Sequence, residues 1–205
     1  LCLLFSQFSL VALVARMGEV PLAAHMVVWQ LWSLVSYGVD GFAHAAESLV
    51  GAALGSGSFQ LARAYARRVL AWGVTIGLLF CAIYAIGLGT FIALLTTHKE
   101  VALAAGGLTF IVAVMQPLNA AVFIFDGIFI GASDMRYMFR AMALAVFVFF
   151  LPTAVILVWW LEGGLISAWI AYASLMLGRL VPLACRYRGD TWLRSFIAVG
   201  PNSGA

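Results

Sequence analysis

Asp40, Glu47 and Asp126 are acidic side chains inside long apolar runs. An ionisable group inside a bilayer costs roughly 2.5–3.5 kcal/mol on insertion scales, so it faces a bundle interior, a polar cavity or a partner. Asp40 and Glu47 are seven residues apart, about two helical turns, and so share a helix face, with His44 between them. Four amides occupy similar surroundings: Gln7, Gln30, Gln116 and Asn119, with Pro117 between the last two. Such groups can bind and release a cation, line a path for a polar solute, or tie helices together by hydrogen bonds. A proline here removes one backbone hydrogen bond and makes Pro117 a candidate hinge beside the amides.

The elements that carry these residues are dictated by composition. Hydrophobic residues make up 65% of the 205-residue chain, charged residues 9%, and mean hydropathy is +1.08. A soluble domain is about 25% charged. The fold expected is therefore all-α and polytopic, a single compact unit. Apolar runs give six candidate transmembrane helices, approximately 1–16, 21–54, 61–95, 101–131, 137–160 and 165–185. The second run is too long to lie wholly in lipid, so its end should project into water. Pro152 lies inside the fifth run, and Gly55-Ser56-Gly57-Ser58 and Glu162-Gly163-Gly164 form turns. The six runs make one lobe over 1–190, followed by a tail, 191–205, whose last five residues are expected to be disordered. The chain opens on Leu1, already inside an apolar run and without a charged leader, which reads as a piece of something longer.

Charge gives the topology. Arg63, Arg67, Arg68, Arg136, Arg140, Arg186, Arg188 and Arg194 fall in the even gaps and the tail, whereas Arg16 and Lys99 share the odd gaps with Glu19, Glu100 and Glu162. By the positive-inside rule, the even gaps and both ends of the chain face the cytoplasm. The same pattern assigns the sequence pI near 9.0 to topology rather than to nucleic-acid binding. At about 1.5 Å per residue, Gln7, Gln30, Gln116 and Asn119 fall near the midplane, and Asp40, His44, Glu47 and Asp126 form an inner layer. The inner acids are expected to pair with Arg63, Arg67, Arg68 or Arg136, Glu47 most of all. Asp40, the deeper on its helix, is the better candidate to titrate in a working cycle. His25 and His98 lie near the outer face and are given no role.

Glycines four apart, Gly51/Gly55, Gly73/Gly77 and Gly127/Gly131, mark places where helix backbones can approach closely. Cys2, Cys81 and Cys185 lie in separate runs and read as buried small hydrophobes, with no disulfide framework or metal site. The Trp residues read as belt or packing residues. The chain has no Gly-Lys-Thr/Ser phosphate loop, H-E-x-x-H, G-x-S-x-G or C-x-x-C, and no adjacent acidic cluster to hold magnesium. No cofactor is called for.

Pro21-Leu22-Ala23-Ala24-His25, Asp40-Gly41-Phe42-Ala43 and Ala46-Glu47-Ser48-Leu49-Val50-Gly51 resemble the second helix of the C-terminal half of multidrug and toxin extrusion (MATE) transporters. Asp126-Gly127-Ile128-Phe129-Ile130-Gly131-Ala132-Ser133-Asp134-Met135-Arg136 resembles the end of that half's fourth helix, and the combination looks most like the DinF-like branch. The resemblance implies one six-helix lobe of a twelve-helix antiporter in the plasma or inner membrane, with an N-terminal lobe of the same protein as its partner. The implied substrate is a small organic, often cationic, compound. Asn119 stands where the sodium-coupled branch carries an acid, which implies a proton rather than sodium as coupling ion. Asp40, Glu47 and Asp126 would then shape an inner gate, and Gln7, Gln30, Gln116 and Asn119 a cavity wall. Rival readings are a lipid-linked precursor flippase of the same superfamily, an integral-membrane enzyme using Asp40 and Glu47 as acid and base, and a structural membrane subunit.

The charge asymmetry makes a direct prediction. Single cysteines placed beside Glu19, Lys99 or Glu162 should react with an impermeant thiol reagent added outside intact cells. Cysteines beside Arg67 or Arg136 should react only after the membrane is opened; the reverse pattern would invert the topology.

Overall fold

The computed structural model describes residues 2–193 and Phe196; Leu1, Arg194 and the last five residues lie outside the described residues. We number the helices α1 (Cys2–Ala15), α2 (Glu19–Gly55), α3 (Phe59–Leu95), α4 (Lys99–Gly106), α5 (Thr109–Gly131), α6 (Met135–Trp160) and α7 (Gly164–Arg188). Five of these, α2, α3, α5, α6 and α7, are long and apolar enough to cross a membrane; α1 is apolar but only 14 residues long. At 37 residues each, α2 and α3 extend to about 55 Å, well beyond a hydrocarbon core of about 30 Å, so their ends reach past the lipid.

Two expectations need correction. The fourth run is not one helix over 101–131. It breaks at Gly107 and Leu108 into the short α4 and the crossing helix α5, because Gly106-Gly107 cannot hold a regular helix at low cost. The fifth helix is continuous but not regular α. It passes through π-helical turns at Ala145–Phe150 and Val155–Trp160, on either side of the four residues that contain Pro152. Proline has no N–H for the carbonyl four residues back, and wider turns relieve that mismatch.

The core is organised around α5, the most buried of the spanning helices. Its glycines bring α2 into backbone contact. A Cβ on Gly127 would lie 2.1 Å from the Ala43 carbonyl oxygen, and one on Gly131 2.5 Å from that of Glu47. The register 43 with 127 and 47 with 131 makes α2 and α5 parallel. Helix α3 crosses α5 the other way: a Cβ on Gly77 would meet Pro117 Cα at 2.7 Å, and one on Gly73 would meet the Ile124 side chain. Tyr84 of α3 donates a hydrogen bond to the Leu31 carbonyl of α2 at 2.7 Å. Between lipid-soluble helices such close packing and interhelical hydrogen bonds replace the missing hydrophobic drive.

Helix α7 lies on the other side of α5 and runs parallel to it, with Asp126 facing Arg179 and Asp134 facing Arg186. It seats Gly178 against the Phe149 ring in the first π stretch of α6. The Ser174 hydroxyl lies 3.2 Å from the Phe149 carbonyl oxygen. Trp192 is fully buried, donates to the Tyr187 carbonyl at 3.1 Å and stacks on the Tyr187 ring. The first residues of the expected tail therefore pack onto the lobe. The cysteines are free, but Cys185 is exposed and Cys2 and Cys81 only half-buried, so none is the buried hydrophobe expected.

These contacts predict that Gly127→Ala destabilises the folded lobe by at least about 1–3 kcal/mol, since a methyl group cannot share space with a backbone carbonyl. Gly41→Ala, with nothing within 4 Å of its Cβ, should be neutral or slightly stabilising. Thermal melts of the detergent-purified protein compare the two.

Candidate functional site

The parallel register of α2 and α5 puts Asp40 and Asp126 at nearly the same depth, each within a turn of the Ala43–Gly127 crossing. Asp126 is held by Arg179 of α7, in contact through guanidinium Nη2 and carboxylate Oδ2. Arg179 also points Nη1 at Met176 Sδ, 3.7 Å away. The Arg179 side chain is 1% exposed and that of Asp126 19%, so the pair is reached only from the carboxylate side.

None of the expected arginines serves the inner acids. Arg63 pairs instead with Asp190 and donates to the Gly189 carbonyl at 3.1 Å. Glu47 pairs with His44, one turn back on the same exposed face, at 3.6 Å. The reason is direction: Arg63 is half-exposed and Arg67, Arg68 and Arg136 are exposed, whereas α7 turns Arg179 into the bundle. Sequence reasoning missed Arg179 altogether. It was detectable, since a lone Arg amid Leu175–Leu183 meets the same cost rule that singled out the acids.

Asp40 is half-buried and has no hydrogen bond or ion pair among the described residues. His44 follows it one turn along α2. A second bridge closes the same end: Arg186 Nε donates to Asp134 Oδ2 at 2.9 Å, and the guanidinium Cζ lies 4.8 Å from the centre of the Tyr137 ring. Tyr137 donates to the Pro182 carbonyl at 2.9 Å. The ends of α5 and α7 and the start of α6 thus form a paired, cross-linked layer.

The amides behave differently. Gln116 and Asn119 are buried on α5. Gln116 Nε2 donates to the Val112 carbonyl at 2.9 Å, but its Oε1 has no partner, and neither does either polar atom of the Asn119 amide. Gln7 of α1 sits beside the Tyr172 hydroxyl of α7 without a hydrogen bond of regular geometry between them. Pro117 is clamped from behind by Gly77. Gln30 does not join the other amides. It lies on the exposed face of α2, away from the buried stripe of Val28, Leu31, Trp32 and Val35.

His25, expected near the outer face, is buried. Its ring lies 5.8 Å from Trp29 and 5.7 Å from Trp169, at one end of an aromatic cluster that continues through Trp32 and Tyr172. Both His25 ring nitrogens and the Trp32 and Trp169 N–H groups lack partners. Among the described residues no group of three His, Cys, Asp or Glu is placed to hold a metal ion.

The Asp126–Arg179 contact predicts an asymmetric mutational response. Removing one partner of a buried pair costs about 3–5 kcal/mol. A stranded Asp126 can take up a proton, but a stranded Arg179 cannot shed one. Denaturation of the purified protein should therefore show Asp126→Leu to be more harmful than Arg179→Met. The double variant should be less harmful than the sum.

The geometry can be set beside known proteins. The MatE family profile matches residues 1–156. The chain is 34% identical over 175 residues, 85% of its length, to Protein DETOXIFICATION 44, chloroplastic, of Arabidopsis thaliana, covering 33% of that protein. It is 30% identical over 190 residues, 90% of its length, to DNA damage-inducible protein F of Escherichia coli (strain K12), covering 40% of it. The chain thus spans between a third and two-fifths of the length of these relatives. Its fold matches the eukaryotic MATE transporter AtDTX14 with a TM-score of 0.82 at 17% identity, over 87% of this chain and 40% of that one. It matches an inward-facing multidrug resistance MATE family transporter of the MOP superfamily with a TM-score of 0.79 at 16% identity, over 95% and 48%. A six-run helical lobe with this sequence and this packing belongs to the MatE family of membrane transporters.

Proposed function

We propose that this chain forms one lobe, the C-terminal one, of a proton-coupled antiporter that exports small organic compounds across the plasma or inner membrane. Both ends of the chain face the cytoplasm in this reading. The observation that carries it is the layer of unsatisfied polar atoms in the middle of the lobe: Gln116 Oε1, the Asn119 amide and the Tyr172 hydroxyl. Buried polar groups are almost always paired, and those left over ask for a ligand, an ion or water. Beside them Pro117 leaves the Ala113 carbonyl without its helical donor.

Alternating access then comes from two lobes rocking about a central cavity. The exposed face of α2 supports a second lobe. Met26, Gln30, Leu34, Tyr37, Gly41 and His44 follow a helical stripe that mixes small and polar residues with apolar ones, unlike a surface built for lipid alone. In this reading Gln30 belongs to the inter-lobe wall, Gln7, Gln116 and Asn119 to the cavity within the lobe. Asp126 with Arg179 forms a fixed inner lock, and Asp40, without an ion-pair partner, is the group free to exchange a proton. Glu47 with His44 caps the inner end of α2.

Dye efflux against pH, normalised to folded protein, tests the assignment in the full-length transporter. Asp40→Asn should reduce efflux and flatten its pH dependence, whereas Glu47→Gln should keep the parent's profile. A parental profile in Asp40→Asn would move coupling to the other lobe. In liposomes under a pH gradient the 205-residue chain alone should move no dye, because half the cavity wall is absent.

A further inference from the structure

Away from the polar layers, α1 and α6 do not close against each other. Two adjoining cavities, of about 270 Å³ and 400 Å³, run between them and share Leu13, Arg16 and Trp159. The first is a mainly apolar cleft floored by small residues, Ala12 and Ala154. The second opens at the end where α1 stops and α7 begins, and there Arg16 and Glu162 both line it. The cleft's α6 lining, Phe150, Leu151, Ala154, Val155 and Trp159, falls where π turns flank Leu151–Ala154.

The mouth carries charges of both signs. Arg16 and Glu162 are exposed and form no ion pair with each other or with any described residue. Glu162 adopts a left-handed backbone conformation, φ 47°, which is uncommon for a residue other than glycine or asparagine. This is the turn that ends α6, where the Gly163 N–H donates to the Leu157 carbonyl at 3.0 Å. Trp159 and Trp160, 68% and 84% exposed, stand at the same end, where indoles anchor helices at the headgroup level.

We infer that the α1–α6 cleft binds one zwitterionic phospholipid of the phosphoethanolamine class. One acyl chain fills the apolar cleft, the Arg16 guanidinium takes the phosphate, and Glu162 takes the primary ammonium. Arginine suits phosphate because its planar fork donates two parallel hydrogen bonds. A carboxylate beside it repels a purely anionic headgroup and accepts from an ammonium that carries N–H bonds. A trimethylated headgroup offers no such donor. An ordinary boundary lipid would need neither charge nor cleft. The inference requires only that the helices sit in a bilayer, and it is independent of coupling ion and substrate.

Native mass spectrometry of the purified protein with equimolar phosphatidylethanolamine, phosphatidylcholine and phosphatidylglycerol tests it. We expect one retained phosphatidylethanolamine per chain, several-fold above the other two, and a melting temperature raised by that lipid alone. Arg16→Gln should lower retention of all three lipids several-fold. Glu162→Gln should abolish the preference for phosphatidylethanolamine while leaving phosphatidylglycerol bound equally or better. Ala154→Phe, which fills the cleft, should remove the adduct; Ile86→Phe, on the 91% exposed face of α3, should not. Glu162 is at the surface, so its variant is expected to fold and decides the matter if Ala154→Phe does not. Equal retention of the three lipids by the parent, or an unchanged preference in Glu162→Gln, overturns the inference.

Discussion

Helices surrounded by lipid gain little by hiding apolar surface from one another, so they hold together where backbones can touch. In this lobe that constraint falls on α5. Its Gly127 and Gly131 admit the α2 backbone at Ala43 and Glu47, and further along the helix Gly73 and Gly77 of α3 admit α5 itself. The same crossing that fixes α2 against α5 sets Asp40 level with Asp126. The same contact that seats Gly77 on Pro117 supports the helix where its own hydrogen bonding is interrupted. The placement of the polar groups follows from where glycine lets the chains approach.

The charges then divide the lobe by depth. Where α5 ends, every described acid of the helix and its following turn is matched across to α7: Asp126 to Arg179 and Asp134 to Arg186. Paired charge in a low-dielectric interior is rigid, because separating the partners strands both. Toward the middle, pairing gives way to amides, indoles and a hydroxyl without partners. An arrangement fixed at one end and unsatisfied at the centre is suited to hold a passing solute or ion while the helices keep their mutual register. Asp40 stands at the boundary of the two regimes, level with the locked pair yet bound to neither member of it. Its helix also carries the exposed stripe from Met26 to His44, so a change at Asp40 and a change at that face belong to one rigid element.

Helix α6 is the exception to close packing. Its two π turns and Pro152 leave a cleft beside α1, while its inner part is pinned by Tyr137 to Pro182 and by Phe149 to Gly178. One helix is thus tied to α7 along its first half and loosely apposed to α1 along its second. The cleft lies on the side of α1 away from Gln7, and its charged mouth is at the opposite end from Asp126.

The sequence by itself determined the all-α membrane class and where along its helix each polar residue falls. These are one-dimensional properties: length, hydropathy and rise per residue place a residue along its helix axis. The glycine spacing marked Gly127 and Gly131 as a place of close approach, but not α2 as the helix that fills it. The break at Gly107–Leu108 and the π turns of α6 were not resolved, because hydropathy continues smoothly through both. Rotation about each axis was decided only by the tertiary structure. It turned Gln30 outward and His25 inward, exposed Cys185, gave Glu47 to His44, and chose Arg179 for Asp126 over the basic residues nearest the helix ends. Periodicity says which residues share a face, but which face meets which neighbour depends on where the backbones touch, and that is a property of the packed helices together.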